Sequence, residues 1–216
     1  MLRKISFVFF TLSLMFLAKS YTHKKPKRLK LVTVDSDRLI EIVGDINRLK
    51  LKLKGIELEN VMETGPGPVY LLINSSGGSV QPTLTFIDRI NNLKAQGTPV
   101  FCITGTEAMS AALYMLDSCS VRYILPSAQI MWHPIRTRNP FQPLEGIVLD
   151  AAIMFEKEKE LLETMRRNMG LNEDVFYSHY VHETVWPATV LAKQAPDYFT
   201  IVSGVVGAPK LFESGR

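Results

Sequence analysis

No grouping of His, Cys, Asp and Glu stands at the spacing a zinc or other metal site needs. The four histidines and two cysteines are scattered through 216 residues. No metal and no cofactor are expected. Two cysteines are too few for the disulfide framework of a small secreted fold, and Cys102, inside an apolar stretch, reads as a small core residue. No Gly-Lys-Ser/Thr follows any glycine-rich turn, which excludes a Walker phosphate loop. Aromatic residues do not interleave with the basic ones, so the net charge of +4 does not point to nucleic acid. No apolar run reaches the roughly 20 residues of a membrane-spanning helix.

A hydrophobic content of 46% over this length is enough for one domain with a full core. The ends read differently from the middle. Residues 1–20 carry a basic start, an apolar run over 5–18 and small residues at Ala18 and Ser20, the pattern of a signal peptide or an uncleaved anchor. Export to the periplasm or outside, or attachment to a membrane, follows from that reading; a cytoplasmic protein is the alternative. Residues 21–30, with Lys24, Lys25, Lys27, Arg28 and Lys30, read as a flexible basic arm. The folded domain is placed at 31–207 and a tail at 208–216.

Within the domain, strands and helices alternate. Residues 38–44 alternate and are β-branched, predicting a strand. Residues 45–60 predict a helix with Ile46, Leu49, Leu53 and Ile56 on its buried face. Residues 69–73 (VYLLI) are wholly apolar, as in a strand covered on both sides. Residues 82–95 predict a helix, 99–103 a strand, 122–125 and 129–133 two short strands. Residues 146–168 predict a long helix with Ile147, Ala151, Met154, Leu161 and Met165 on one face, followed by helices over 172–184 and 188–194 and a final strand over 199–206. This order implies an α/β fold with parallel strands, and ligands in such sheets sit beyond the strands' carboxyl ends.

Two turns fall on that edge. After strand 69–73 comes Asn74-Ser75-Ser76-Gly77-Gly78-Ser79, where a glycine pair lets the backbone approach a ligand and point its N–H groups at an oxyanion or phosphate. After strand 99–103, a turn over 104–107 leads into an apolar helix from Ala108, with Ser110 in its first turn, where unpaired N–H groups and the dipole favour developing negative charge. An ordinary turn and a small packing residue are the plain readings of these two features taken singly. His133, closing the 129–133 strand, ends on the same edge and within reach of Ser110; a satisfied edge histidine is its plain reading.

Residues 73–80 (INSSGGSV), 108–116 (AMSAALYML) and 125–134 (LPSAQIMWHP), in this order, resemble the Clp protease proteolytic subunit family. The likeness covers about residues 31–207. It implies the Clp protease/crotonase-like fold of repeated β-β-α units with a protruding handle helix, here the long helix after His133. It implies a serine endopeptidase with Ser110 as nucleophile, His133 as base and the N–H groups of Gly78 and Ala111 as oxyanion hole. It also implies polypeptide substrates, a homo-oligomer of one or two stacked rings enclosing a chamber, and an ATP-driven (AAA+) unfoldase partner if the protein is cytoplasmic. The sequence departs from the family at three places. Glu107 and Met109 stand where small residues are usual, in a turn one residue longer. The segment 136–143 carries Arg136, Arg138, Pro140 and Pro143 in place of glycines. The position of the family's acid falls on His179, with Glu183 one turn later and Asp197, beside Pro196, a more distant candidate. Either the triad is Ser-His-His, or Glu183 reaches in, or activity is weak. A catalytically silent structural subunit and a crotonase-type acyl-CoA enzyme are the alternatives.

Overall fold

The computed structural model describes residues 29–136 and 144–207, with side chains of 144–151 outside the description. The expectations for residues 1–20, for most of the basic arm, for 137–143 and for the tail 208–216 lie outside those residues. No helix of the described residues is long and apolar enough to cross a membrane.

The chain runs β1 (Lys30–Thr33), β2 (Leu39–Val43), α1 (Arg48–Glu63), β3 (Val69–Ser75), α2 (Val80–Ala95), β4 (Val100–Met109), α3 (Ala111–Asp117), β5 (Val121–Ile124), β6 (Gln129–Met131), α4 (Leu144–Met169), α5 (Glu173–Val181), β7 (Trp186–Pro187), α6 (Ala188–Gln194) and β8 (Thr200–Val206). The strands lie in the order β1-β8-β5-β4-β3-β2, all parallel, while β6 pairs with β4 and takes β7 antiparallel on its other side. This is the expected α/β architecture. The apolar run of β3 has a direct cause. Leu71 and Ile73 enter the main core among the helices, whereas Leu72 enters a second cluster with Val34, Ile103, Leu125, Val202 and Val205. Both faces of β3 are covered, so its alternating side chains are all apolar.

Three expectations are corrected. First, α1 starts at Arg48, capped by Asn47, whose side chain accepts from Lys50 N at 2.9 Å. It buries Leu51, Gly55, Leu58 and Val61 and leaves Leu49, Leu53 and Ile56 exposed. Gly55 decides the face: a Cβ there would lie 2.9 Å from Arg89 Nη1 of α2, so the helices meet along the glycine side. Ile46 is buried outside the helix, bridged to Gly78. Second, β4 does not turn at 104–107. It stays extended through Met109, and α3 starts only at Ala111. Third, Cys102 is a core residue as expected but is also paired with Cys119 in a disulfide that ties β4 to the second residue after α3.

The loop before β3 hangs on Arg38, which is 5% exposed. Its guanidinium donates to the carbonyls of Pro68, Val61, Gly65 and Gly67 and to Thr64 Oγ1, between 2.8 and 3.1 Å. Replacing Arg38 with Met strands one buried carbonyl, that of Val61, and three half-buried ones. We expect a loss of about 3 kcal/mol in unfolding free energy, read as a lower urea midpoint; an unchanged midpoint contradicts this role.

Candidate active site

The site begins with the register between β3 and β4. Ile73 pairs with Thr104, but two residues later Ser75 pairs with Ala108, four residues further along β4. The extra residues of β4 bulge out and are tied to Asn74: its Oδ1 accepts from the Thr106 and Glu107 amides at 2.9 and 3.0 Å and from the Thr106 hydroxyl. The longer segment leading to Ser110 is therefore absorbed as a bulge. Beyond it β4 pairs with β6, Glu107 opposite Gln129 and Met109 opposite Met131.

Ser110 stands at the junction of β4 and α3 as the N-cap residue, with φ 53° and ψ −126°. Its N–H donates to the Met131 carbonyl at 2.9 Å and its carbonyl accepts from Leu113 N at 3.0 Å. A non-glycine residue in this conformation costs on the order of 1–3 kcal/mol. The same kind of strained strand-to-helix turn lifts nucleophilic serines out of other α/β sheets. The N–H of Ala111 opens a helix and has no partner within it.

The glycine turn packs directly on Ser110. A Cβ at Gly77 would lie 2.7 Å from Ser110 Cβ and 3.1 Å from Ala111 N, and one at Gly78 would lie 2.2 Å from the Ile46 carbonyl. Gly77 and Gly78 have φ of 104° and 143°. Ile46 N donates to Gly77 O and Ser79 N donates to Ile46 O, both at 2.8 Å. In such a parallel bridge the middle residue turns its own N–H away from the partner strand, so Ile46 leaves the Gly78 amide unclaimed.

His133 follows β6 by two residues. Its neighbour Trp132 is fully buried, stacked on Phe176 at 5.3 Å, with Nε1–H donating to Phe176 O at 3.2 Å. The His133 Nδ1 lies 2.7 Å from Pro134 O. A carbonyl only accepts, so Nδ1 carries the proton and Nε2 is left as the acceptor, the tautomer a general base needs. Among the described residues, no hydrogen bond joins Ser110 Oγ to His133.

Among the described residues, none of the three acid candidates is joined to His133. The His179 ring lies edge-on to Trp132 and Trp186, at 5.8 and 4.4 Å, and its buried Nε2 has no hydrogen-bond partner among the described residues. Burial first, and then the neighbouring His182, hold its pKa below the usual histidine value. Glu183, at φ 50°, is ion-paired with Arg136. Asp197 is exposed in a turn. A carboxylate missed in the sequence stands instead on the His133 segment. Glu158 of α4, 8% exposed, accepts from Ile135 N at 2.5 Å and from the Tyr180 hydroxyl at 2.7 Å. Its signal was there: position 158 fills the gap between Met154 and Leu161 on the apolar face of the long helix. The other strongly buried carboxylate of the described residues, Asp117, is engaged by Asn168 and Tyr198, and burial pushes its pKa up.

A family model described as Clp protease matches residues 34–188. The ATP-dependent Clp protease proteolytic subunit 1 of Rhodopirellula baltica is 24% identical over 209 residues, covering 89% of this chain and 85% of that protein.

Two outcomes follow from this geometry. Gly77→Ala forces Ser110 and Ala111 away by several tenths of an ångström; reactivity of Ser110 toward a fluorophosphonate should fall about 10²-fold, with retained reactivity contradicting the contact. His179, with a depressed folded pKa, binds fewer protons in the folded than in the unfolded state. Stability should therefore fall as pH drops below about 6.5, the unperturbed histidine value. Chemical unfolding at pH 7.5 and 5.5 should show this loss, and His179→Phe should reduce it; an identical loss in the variant contradicts it.

Proposed function

The chain belongs to the Clp protease family, and on that premise we propose that it is a serine endopeptidase in which Ser110 is the nucleophile and His133 the general base. The observation that carries this reading is Ser110 itself, held at φ 53° between strand and helix with Gly77 against it and Met131 on its amide. Strain of this kind at one serine, on the edge where strand ends converge, has an account as a lifted nucleophile and none as packing.

In the proposed reaction Ser110 Oγ bonds to the carbonyl carbon of a peptide, and its proton passes to His133 Nε2. The carbonyl π electrons move onto oxygen, which is held by the N–H groups of Gly78 and Ala111; each such donor is worth about 10²–10³ in rate. Collapse breaks the C–N bond as the leaving amine takes the proton from Nε2. A water then repeats the sequence on the acyl-enzyme, returning the proton to Ser110 and releasing the acid. The Pro134 carbonyl fixes the His133 tautomer. A weakly active subunit is the second reading, favoured by the missing Ser110–His133 hydrogen bond and by the absence of a carboxylate on Nδ1.

Polypeptides are the proposed substrates and a homo-oligomeric ring the proposed assembly. We further propose export. The N-terminal apolar run points that way, and the Cys102–Cys119 pair agrees with it, since disulfides persist in oxidising compartments. An ATP-driven unfoldase would then have no fuel, and the substrates would be loose or short chains. A fluorophosphonate probe tests the core of this reading. Labelling should drop at least ~10³-fold in Ser110→Ala and persist in Ser127→Ala, on the exposed turn after β5. Thioester turnover with no Ser110 labelling would instead favour a crotonase-type enzyme, and folded protein with neither activity a silent subunit.

A further inference from the structure

We propose that Glu158 is a positioning residue that acts on His133 through a single peptide group, in the place where a triad acid is missing. The proposal rests on the peptidase reading for its consequence in catalysis, but its geometry stands apart from that reading.

The Pro134 carbonyl and the Ile135 N–H are the two ends of one amide. The carbonyl accepts from His133 Nδ1 at 2.7 Å, and the N–H donates to Glu158 Oε1 at 2.5 Å. An amide is a planar resonance system. A carboxylate on its N–H draws that hydrogen and enriches the oxygen at the other end, and hydrogen bonds in series strengthen one another in a low-dielectric setting. The order carboxylate, amide, imidazole is thus a triad with one peptide inserted between acid and base. The two duties of a triad acid are divided. The Pro134 oxygen fixes the tautomer, and the charge on Glu158, transmitted and attenuated by the amide, favours the imidazolium formed when Ser110 gives up its proton.

Several features make Glu158 fit this role better than that of a surface group. A buried carboxylate is costly unless it finds donors, and here the Ile135 amide and the Tyr180 hydroxyl both donate to Oε1. Burial, and then the bond to Glu158, push the Tyr180 pKa far above its ordinary value, so that hydroxyl remains a donor. Glu158 also sits on the rigid inward face of α4 beside fully buried core such as Met165 and nearly buried Leu162. The titratable and charged groups on the elements packed about the His133 segment are Glu158 from α4, His179 and Tyr180 from α5, Glu183 after α5, and Arg136 on the segment itself. Tyr114 of α3 faces Glu158, and its hydroxyl has no partner among the described residues. Glu183 is neutralised by Arg136 and makes no bond to the amide or the ring. Glu158 is the carboxylate bonded to the peptide that His133 itself uses.

The test is an NMR titration of the imidazole resonances in the full chain, with His133 assigned by His133→Gln. It is run beside the pH dependence of kcat/KM on a fluorogenic peptide. Glu158→Gln keeps an oxygen for the Ile135 N–H and removes the charge. The His133 titration midpoint should fall by about one pH unit, the acid limb of kcat/KM should move down with it, and kcat should drop about tenfold. Glu183→Gln should move the midpoint by less than about 0.2 units. Tyr180→Phe removes one donor and leaves the carboxylate less neutralised, so its midpoint should rise by a few tenths of a unit; this variant decides the matter if Glu158→Gln does not fold. An unmoved midpoint in folded Glu158→Gln, a fall in Tyr180→Phe, or an equal fall in Glu183→Gln overturns the proposal. Predicted midpoint shifts without Ser110 labelling in the parent protein would leave the peptide-borne coupling standing and reject the peptidase reading. Labelling without those shifts would do the reverse.

Discussion

The short parallel ladder between residues 107–109 and 129–131 is the constraint on which the site depends. It holds β4 extended past the point where its own composition invites a turn, and it ends with the Ser110 amide on the Met131 carbonyl. That bond is one of the contacts that hold Ser110 at φ 53°. The same ladder sets His133 two residues beyond the carbonyl that holds Ser110. The nucleophile and the base candidates are thus placed by one set of backbone hydrogen bonds, on neighbouring strands whose side-chain directions are tied by register.

Around that ladder the glycine turn serves as a spacer with no side chains. The space that a Cβ on Gly77 would need is taken by Ser110, and the space that a Cβ on Gly78 would need is taken by Ile46. The turn is squeezed between the end of β4 and Ile46, two residues before α1; Gly77 N donates to Ser75 Oγ at 3.0 Å, while Ile46 leaves the Gly78 N–H unclaimed. Asn74 completes the frame by gathering three donors of the β4 bulge on one oxygen. These contacts explain why Glu107 and Met109, unusual residues at such a turn, are tolerated: they lie on a paired strand, not in a tight loop.

Much of this was legible in the sequence because its signals are local. The apolar run of β3 followed by Gly77-Gly78 and the helix capped by Asn172 each depend on residues within a few positions, whereas the strand expected to close on His133 stops at Met131. The course of β4 was not legible, because its extension is decided by β6, some twenty residues on, and by the Asn74 side chain. The buried face of α1 was misread for a similar reason. Leu49, Leu53 and Ile56 have helical spacing as good as that of Leu51, Leu58 and Val61, and the choice is made by Arg89 meeting Gly55. Glu158 was overlooked because an apolar face was read by its apolar members, when the informative residue was the charged one in their midst.

The most direct measurement is a crystal structure of the protein after reaction with a peptidyl phosphonate. The account predicts a covalent bond to Ser110 Oγ, the phosphonyl oxygen within about 3.1 Å of both the Gly78 and Ala111 nitrogens, and His133 Nε2 turned toward the adduct with Nδ1 still on Pro134 O. An adduct on another residue, or a phosphonyl oxygen facing away from those two amides, would contradict it.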